Sequence, residues 1–242
     1  MSPANHQAGH IPGAVLWNVY SDLKDVDYRL VDPSRLQTLL ERSGIRPDTM
    51  VVFYGYAPAM GMWLLDHLRH RDARVLDASR EAWQAAGRPW TDAATMPMPT
   101  RYPLGCANAR VRAARTEVEA AIGRDGCTIV DTRTEAEYDG ERFWPSGGSE
   151  PGGRAGHVPG AIRVAVDDLF DDGGTFRSVD ELRARLSSID LAGDDEVITY
   201  CTIGGRASTM WFVLTHLLGR RNVRVYDGSW AEWGRQPDTP IV

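Results

Sequence analysis

The chain has 242 residues, enough for one large domain or two small ones at ~100–200 residues per domain. Hydrophobic residues at 43% and charged residues at 25% exclude a disordered, fibrous or collagen-like chain. Lys+Arg 27 against Asp+Glu 33, a net charge of −6, excludes the basic excess that draws proteins onto nucleic acid or anionic lipid. Lys24 is the only lysine among those 27 bases. The first nine residues hold neither an apolar core nor a basic region, and no apolar run reaches the ~18 residues of a membrane helix. A cytoplasmic protein without membrane or nucleic-acid partners is expected. Cys106, Cys127 and Cys201 form no C-x-x-C pair and no even set, so free thiols in a reducing compartment are expected as well.

Taken in chain order, the early segments return later in the same sequence. Gly9-His-Ile-Pro-Gly-Ala14 recurs as Gly156-His-Val-Pro-Gly-Ala161, and Val51-Val-Phe-Tyr54 as Val197-Ile-Thr-Tyr200. The apolar stretch opened by Trp63 is answered by the one opened by Trp211. Arg74-Val-Leu-Asp77 is answered by Arg224-Val-Tyr-Asp227, with Trp83 and Trp233 following. Four matches in one order indicate a duplicated domain. Residues 91–109, with Pro97, Pro99 and Pro103, lack periodicity and read as a linker between domains over 1–90 and 110–242. In the second domain a helix is expected over 116–122, and short β-branched runs over 128–131, 161–164, 196–200 and 223–226 read as buried strands. Ser178 and Glu181 make a capping-box pattern that opens a helix, and 207–218 is apolar enough to be a buried one. The alternation predicts an α/β fold of two tandem domains, each a mainly parallel sheet flanked by helices. Only eight residues precede Gly9, so the first domain is expected to lack its opening helix and strand. That implies a natural chain starting upstream of Met1, or a gap filled by another segment or chain.

Chemistry concentrates in Cys201-Thr202-Ile203-Gly204-Gly205-Arg206, between the strand at 196–200 and the helix at 207–218. The C-terminal end of a parallel strand is where open α/β sheets bind ligands. Gly204 and Gly205 both permit positive φ, so loop N–H groups can turn inward as an anion nest, and the helix adds its positive end. Both effects favour a thiolate, the reactive form of a group whose ordinary pKa is ~8.5. Arg206 has two readings, a five-donor cation for an anionic substrate or a clamp closing the loop. Cys127 inside a strand and Cys106 in the linker read as structural or incidental. Nothing in the pattern requires a cofactor or a metal.

The set Gly156-His-Val-Pro-Gly-Ala161, Tyr200-Cys201-Thr-Ile-Gly-Gly-Arg206 and Tyr226-Asp-Gly-Ser-Trp-Ala-Glu-Trp233 resembles the tandem-domain rhodanese family, the thiosulfate and 3-mercaptopyruvate sulfurtransferases. The resemblance covers essentially the whole chain. It implies that the second domain carries the active loop, and here Gly55 and Met60 stand where Cys201 and Arg206 stand in the repeat. It implies further that Cys201 takes sulfur from a small anionic donor as a persulfide and hands it to cyanide, a thiol or a sulfur-accepting protein. Residues 202–206 would hold donor and persulfide. Thr202 departs from relatives that carry a second basic residue there; Arg206 favours thiosulfate over 3-mercaptopyruvate. Asp131 matches a family position near the loop and reads either as an orienting group or as a helix cap. Asp227 reads in the same way as an orienting group or, preferably, as turn chemistry. Arg142 and Arg154, in an insertion over 141–154, read as lining an anion entrance or as a solvated loop. His157 reads as structural because His10 repeats it, and Trp63, Trp211 and Trp233 as core.

Two competitors remain on the residues alone. A cysteine phosphatase or arsenate reductase also places a thiolate in an anion loop, but with five residues between cysteine and arginine where this chain has four. A non-catalytic binding module would have lost the cysteine, as at Gly55 and not at Cys201.

Overall fold

In a computed structural model, which describes residues 2–189 and 193–242, the two Gly-His-x-Pro-Gly turns are built alike. The Ile11 N–H donates to the Tyr54 hydroxyl at 3.0 Å, and the Val158 N–H to the Tyr200 hydroxyl at 3.1 Å. His10 stacks on His6 and His157 on Tyr138, each with Nδ1 2.9 Å from that residue's carbonyl oxygen. Both histidines therefore hold turns, and the sequence repeat is also a repeat of hydrogen bonds.

The first half contains α1 (Pro3–Gln7), α2 (Pro33–Arg42), β1 (Val51–Phe53), α3 (Pro58–His67), β2 (Ala73–Val75) and α4 (Arg80–Ala85). The second contains β3 (Arg112–Ala113), α5 (Arg115–Ala121), β4 (Cys127–Asp131), α6 (Glu135–Tyr138), β5 (Ile162–Arg163), α7 (Val179–Arg185), β6 (Glu196–Tyr200), α8 (Gly205–Phe212), β7 (Val223–Tyr226) and α9 (Ser229–Trp233). The capping box forms as expected at α7: the Ser178 hydroxyl accepts from the Glu181 N–H while Glu181 accepts from the Ser178 N–H. The helix expected over 207–218 is α8 followed by a π-helical turn, Val213–Leu217.

Five parallel strands in the order β3-β7-β6-β4-β5 form the second half's sheet. After β4 the chain moves to one side for β5 and then to the other for β6. The crevice at the C-terminal ends of β4 and β6 is thus a topological switch point, the position at which such sheets bind ligands. On β6, Val197, Ile198, Thr199 and Tyr200 are all buried, as expected of a strand covered on both faces. Trp63, Trp211 and Trp233 are fully buried core residues. Among the described residues the first half's sheet is the parallel pair β1 and β2. Among the described residues no strand lies where β4 lies beside β6, and Val52 is 48% exposed where its counterpart Ile198 is buried. Met1 lies outside the described residues.

The two halves meet mainly through α3 and α8, which pack on each other. The segment read as a linker is not free chain. Thr91 pairs with His10, and Tyr102 is buried among Leu40, Ile45 and Leu65 of the first half. Among the described residues no helix is long and apolar enough to cross a membrane.

Candidate active site

Cys201 follows β6 directly and is buried, and its Sγ accepts the Gly204 N–H at 3.1 Å. Gly204 has φ +92°, so the loop turns back on the sulfur through a conformation that glycine adopts without strain. Gly205 does not share that role. It has ordinary helical φ at the first position of α8, and a Cβ there would stand 3.1 Å from the Ala57 side chain, so a close approach to the first half is what requires glycine. The expectation of two positive-φ glycines is corrected to one.

The loop carbonyls are tied from outside. Trp230 N–H donates to the Cys201 carbonyl and Ala231 N–H to the Thr202 carbonyl, both at 2.9 Å, and the Cys201 N–H donates to Ser229 Oγ at 3.1 Å. Ser229 adopts φ +53° to reach it. With the carbonyls held outward, the N–H groups of Thr202 and Ile203 have no acceptor among the described residues, and the α8 N-terminus adds its partial positive charge. The loop encloses a cavity of about 40 Å³ shared with Tyr20, Tyr56, Trp144 and Pro145. The space is small and open to one side. Gly204→Ala is expected to cut turnover by about tenfold or more, because its Cβ would sit in a left-handed backbone and 3.0 Å from the Asp227 carbonyl oxygen. Unchanged kcat in that variant would show that turnover does not depend on the left-handed glycine backbone at position 204.

Arg206 makes the contacts that the clamp reading expects. Its Nη1 and Nη2 donate to the two oxygens of Glu137 at 2.8 and 2.7 Å, and Nη2 also reaches the Thr202 hydroxyl. Glu137 is fully buried and also accepts the Thr202 hydroxyl at 2.7 Å and the Thr134 hydroxyl at 2.9 Å. Burial pushes the Glu137 carboxyl up, but Arg206, Thr202 and Thr134 outweigh it and hold the pKa down at about 2. Arg206 lines the cavity with its charge already matched, so the guanidinium is not a free anion receptor.

The remaining sequence candidates go elsewhere. Asp131 is buried and grips Arg133, accepting from Nε and Nη2, while Arg133 donates to the Gly156 carbonyl at 2.7 Å between the Tyr200 and Trp230 rings. It neither faces the cavity nor caps α6, whose cap is Thr134. Asp227 does more than shape a turn, since it accepts from Leu30 N–H, Lys24 and Arg112 and so joins the halves. Arg142 is exposed and, among the described residues, its side chain reaches the Pro145 carbonyl alone, and Arg154 binds Gln236 and Thr239 in the C-terminal tail. The insertion does reach the entrance, but through Trp144 and Pro145. Phe143 packs against Gly153 and Gly234 and draws that apolar run inward, leaving the arginines outside the cavity.

Sequence reasoning missed Glu137, Ser229, Tyr20 and Tyr56. Of these only Glu137 carried a signal, the capping-box spacing Thr134-x-x-Glu137. In the first half, the loop equivalent to 201–206 borders a larger cavity of about 320 Å³. Gly55, Asp77, Phe170 and Phe176 line it, and it shares Tyr56 and Arg206 with the cysteine cavity. Cys106 is exposed, and Cys127 is half-buried with its thiol pushed up by burial.

Comparison with known proteins gives three likenesses. A Rhodanese-like domain is matched over residues 114–236. Across 98% of its length the chain is 37% identical to a thiosulfate sulfurtransferase of Corynebacterium glutamicum, covering 80% of that protein. It is 36% identical to the sulfur carrier protein TtuD of Thermus thermophilus, covering 86% of it. Among solved structures, EanB superposes with a TM-score of 0.85 at 23% identity, a likeness of fold in which this chain spans 60% of EanB. One EanB variant was solved with ergothioneine covalently linked to a cysteine persulfide.

Proposed function

Because this chain belongs to the rhodanese family, we propose that it is a sulfurtransferase that moves sulfane sulfur from thiosulfate to cyanide or a thiol through a persulfide on Cys201. The Cys201 thiolate attacks the outer sulfur of thiosulfate, the S–S bond of the donor breaks, and sulfite leaves with the electron pair. The persulfide's outer sulfur then goes to the acceptor, and the thiolate returns. Charge on the transferred sulfur develops where the Thr202, Ile203 and Gly204 N–H groups and the α8 N-terminus gather, which is stabilisation by fixed dipoles at no reorganisation cost.

One observation carries this reading: Cys201 Sγ accepts the Gly204 N–H at 3.1 Å at the edge of a small cavity lined by its own loop. The length of the loop argues against phosphatase or arsenate reductase chemistry, since four residues separate Cys201 from Arg206 where those enzymes place five. Thr202, Ile203, Gly204 and Gly205 form the persulfide cradle, and Arg206 with Glu137 closes it. The larger cavity across Tyr56 and Arg206 gives a small thiol acceptor room to approach. Residues 1–90 and 110–242 are then the inactive and catalytic domains, joined by 91–109. Asp131, Arg142 and Arg154 have no part in the reaction on this reading.

The donor is tested by steady-state kinetics with thiosulfate and 3-mercaptopyruvate. Higher kcat/KM for thiosulfate is expected, in keeping with the similarity to a protein named thiosulfate sulfurtransferase. A preference for mercaptopyruvate would reverse the assignment, and the pairing of Arg206 with Glu137 already means that the loop dipoles must attract the dianion.

A further inference from the structure

Lys24 is carried by the first half, yet its side chain is 1% exposed inside the second. It follows the π-helical turn Val19–Leu23 and bridges to Leu30, so both residues face the turn after β7. Nζ donates to the Asp227 carbonyl at 2.7 Å and lies 3.7 Å from the Asp227 carboxylate. Leu30 N–H donates to that carboxylate at 2.6 Å, and Arg112 Nε donates to it at 2.6 Å from β3. Burial lowers the Lys24 ammonium, and the Asp227 charge opposes that.

The Asp227 carbonyl that Lys24 holds is the atom against which Gly204 packs, 3.0 Å from where a Cβ would stand. Two residues further on begin Ser229, Trp230 and Ala231, which grip the Cys201 and Thr202 backbone. A compact ammonium suits a fully enclosed carbonyl better than a guanidinium fork. Of 27 basic residues this is the only lysine.

We propose that Lys24 is a positioning residue for the Cys201 loop, through which the first half, lacking a nucleophile of its own, sets the geometry of the second half's active site. The proposal rests on the sulfur-transfer reading above. Lys24 touches no substrate; it fixes the Asp227 turn, which fixes the loop. A purely structural ion pair would instead contribute stability and leave the chemistry of folded molecules unchanged.

The test compares wild type, Lys24→Met and the double variant Lys24→Met with Asp227→Asn, each assayed below its own melting temperature. Lys24→Met is expected to lower kcat for thiosulfate about tenfold or more while thiosulfate KM moves less than about threefold. The rate of Cys201 carboxymethylation by iodoacetate should fall with it. The double variant, in which a neutral amide replaces the buried carboxylate that has lost one of its two cations, should regain part of the melting temperature but not kcat. It gives the same reading if Lys24→Met does not fold. Wild-type kcat in the folded single variant, or kcat recovered along with stability in the double one, overturns the proposal. If wild type takes no sulfur from thiosulfate, the sulfur-transfer reading fails, and an unchanged carboxymethylation rate in Lys24→Met would overturn the role of Lys24 separately.

Discussion

Cys201→Ser is expected to take up no sulfur, whereas the wild-type chain gains one atom from thiosulfate, ~32 Da in intact mass, that cyanide removes. Thiosulfate-to-cyanide transfer should fall by at least ~10³-fold, because a serine hydroxyl beside the Gly204 N–H is not ionised and does not attack sulfane sulfur. The variant should fold, since the hydroxyl fits the sulfur's place and can accept the same N–H. Cys106 and Cys127 remain in it as internal controls. No adduct on wild type, or the same adduct on Cys201→Ser, would remove Cys201 from the mechanism.

Glu137→Ala is expected to lower both stability and turnover by the largest margin of any change outside the loop. It leaves the Arg206 guanidinium without its bidentate partner and opens the contact between α6 and the loop. Breaking a buried ion pair by removing one member costs ~3–5 kcal/mol, or roughly 10 °C in melting temperature for a chain of this size. Arg206→Ala should cost nearly as much turnover, and the double variant little more than either alone. Acid dependence follows from the same pair. The carboxyl's folded pKa of about 2 lies below its free value of 4.5, so its contribution is complete above 4.5 and is lost as pH falls toward 2. A depression of that size corresponds to about 3 kcal/mol. Wild type should therefore show a steep loss of stability across that interval, and Glu137→Gln a shallower one, in denaturant titrations at stepped pH. Parallel acid limbs would mean that Glu137 does not carry the linkage.

Cys201, the tight loop and the repeat were legible in the sequence because each is written in contiguous residues. A strand end, a glycine at positive φ and a helix start need only local backbone preferences, and the paired Tyr54 and Tyr200 hydroxyl bonds follow from segments that recur in order. Cys201 is singled out from Cys106 and Cys127 for the same reason, since it is the cysteine followed directly by a glycine-containing loop and a helix. Where local patterns left a choice open, packing made it: Gly205 has helical φ and lies close to Ala57, and the insertion turns Trp144 and Pro145 toward the cavity while Arg142 stays in solvent.

Which partner each buried charge takes was decided by tertiary structure alone. Arg206 finds Glu137 at a separation of 69 residues, Asp227 finds Lys24 at 203, and Asp131 turns to Arg133 and the Gly156 carbonyl. Sequence patterns encode conformation and burial along one segment. A buried charge, by contrast, must be matched by whatever the neighbouring segments bring, and that depends on how α3 and α8 pack the halves together. The amino-acid sequence determined that a cysteine would stand in an anion-cradling loop at a switch point of a parallel sheet. Only the folded chain decided that Arg206 would close that loop and that Lys24 of the other half would support it from behind.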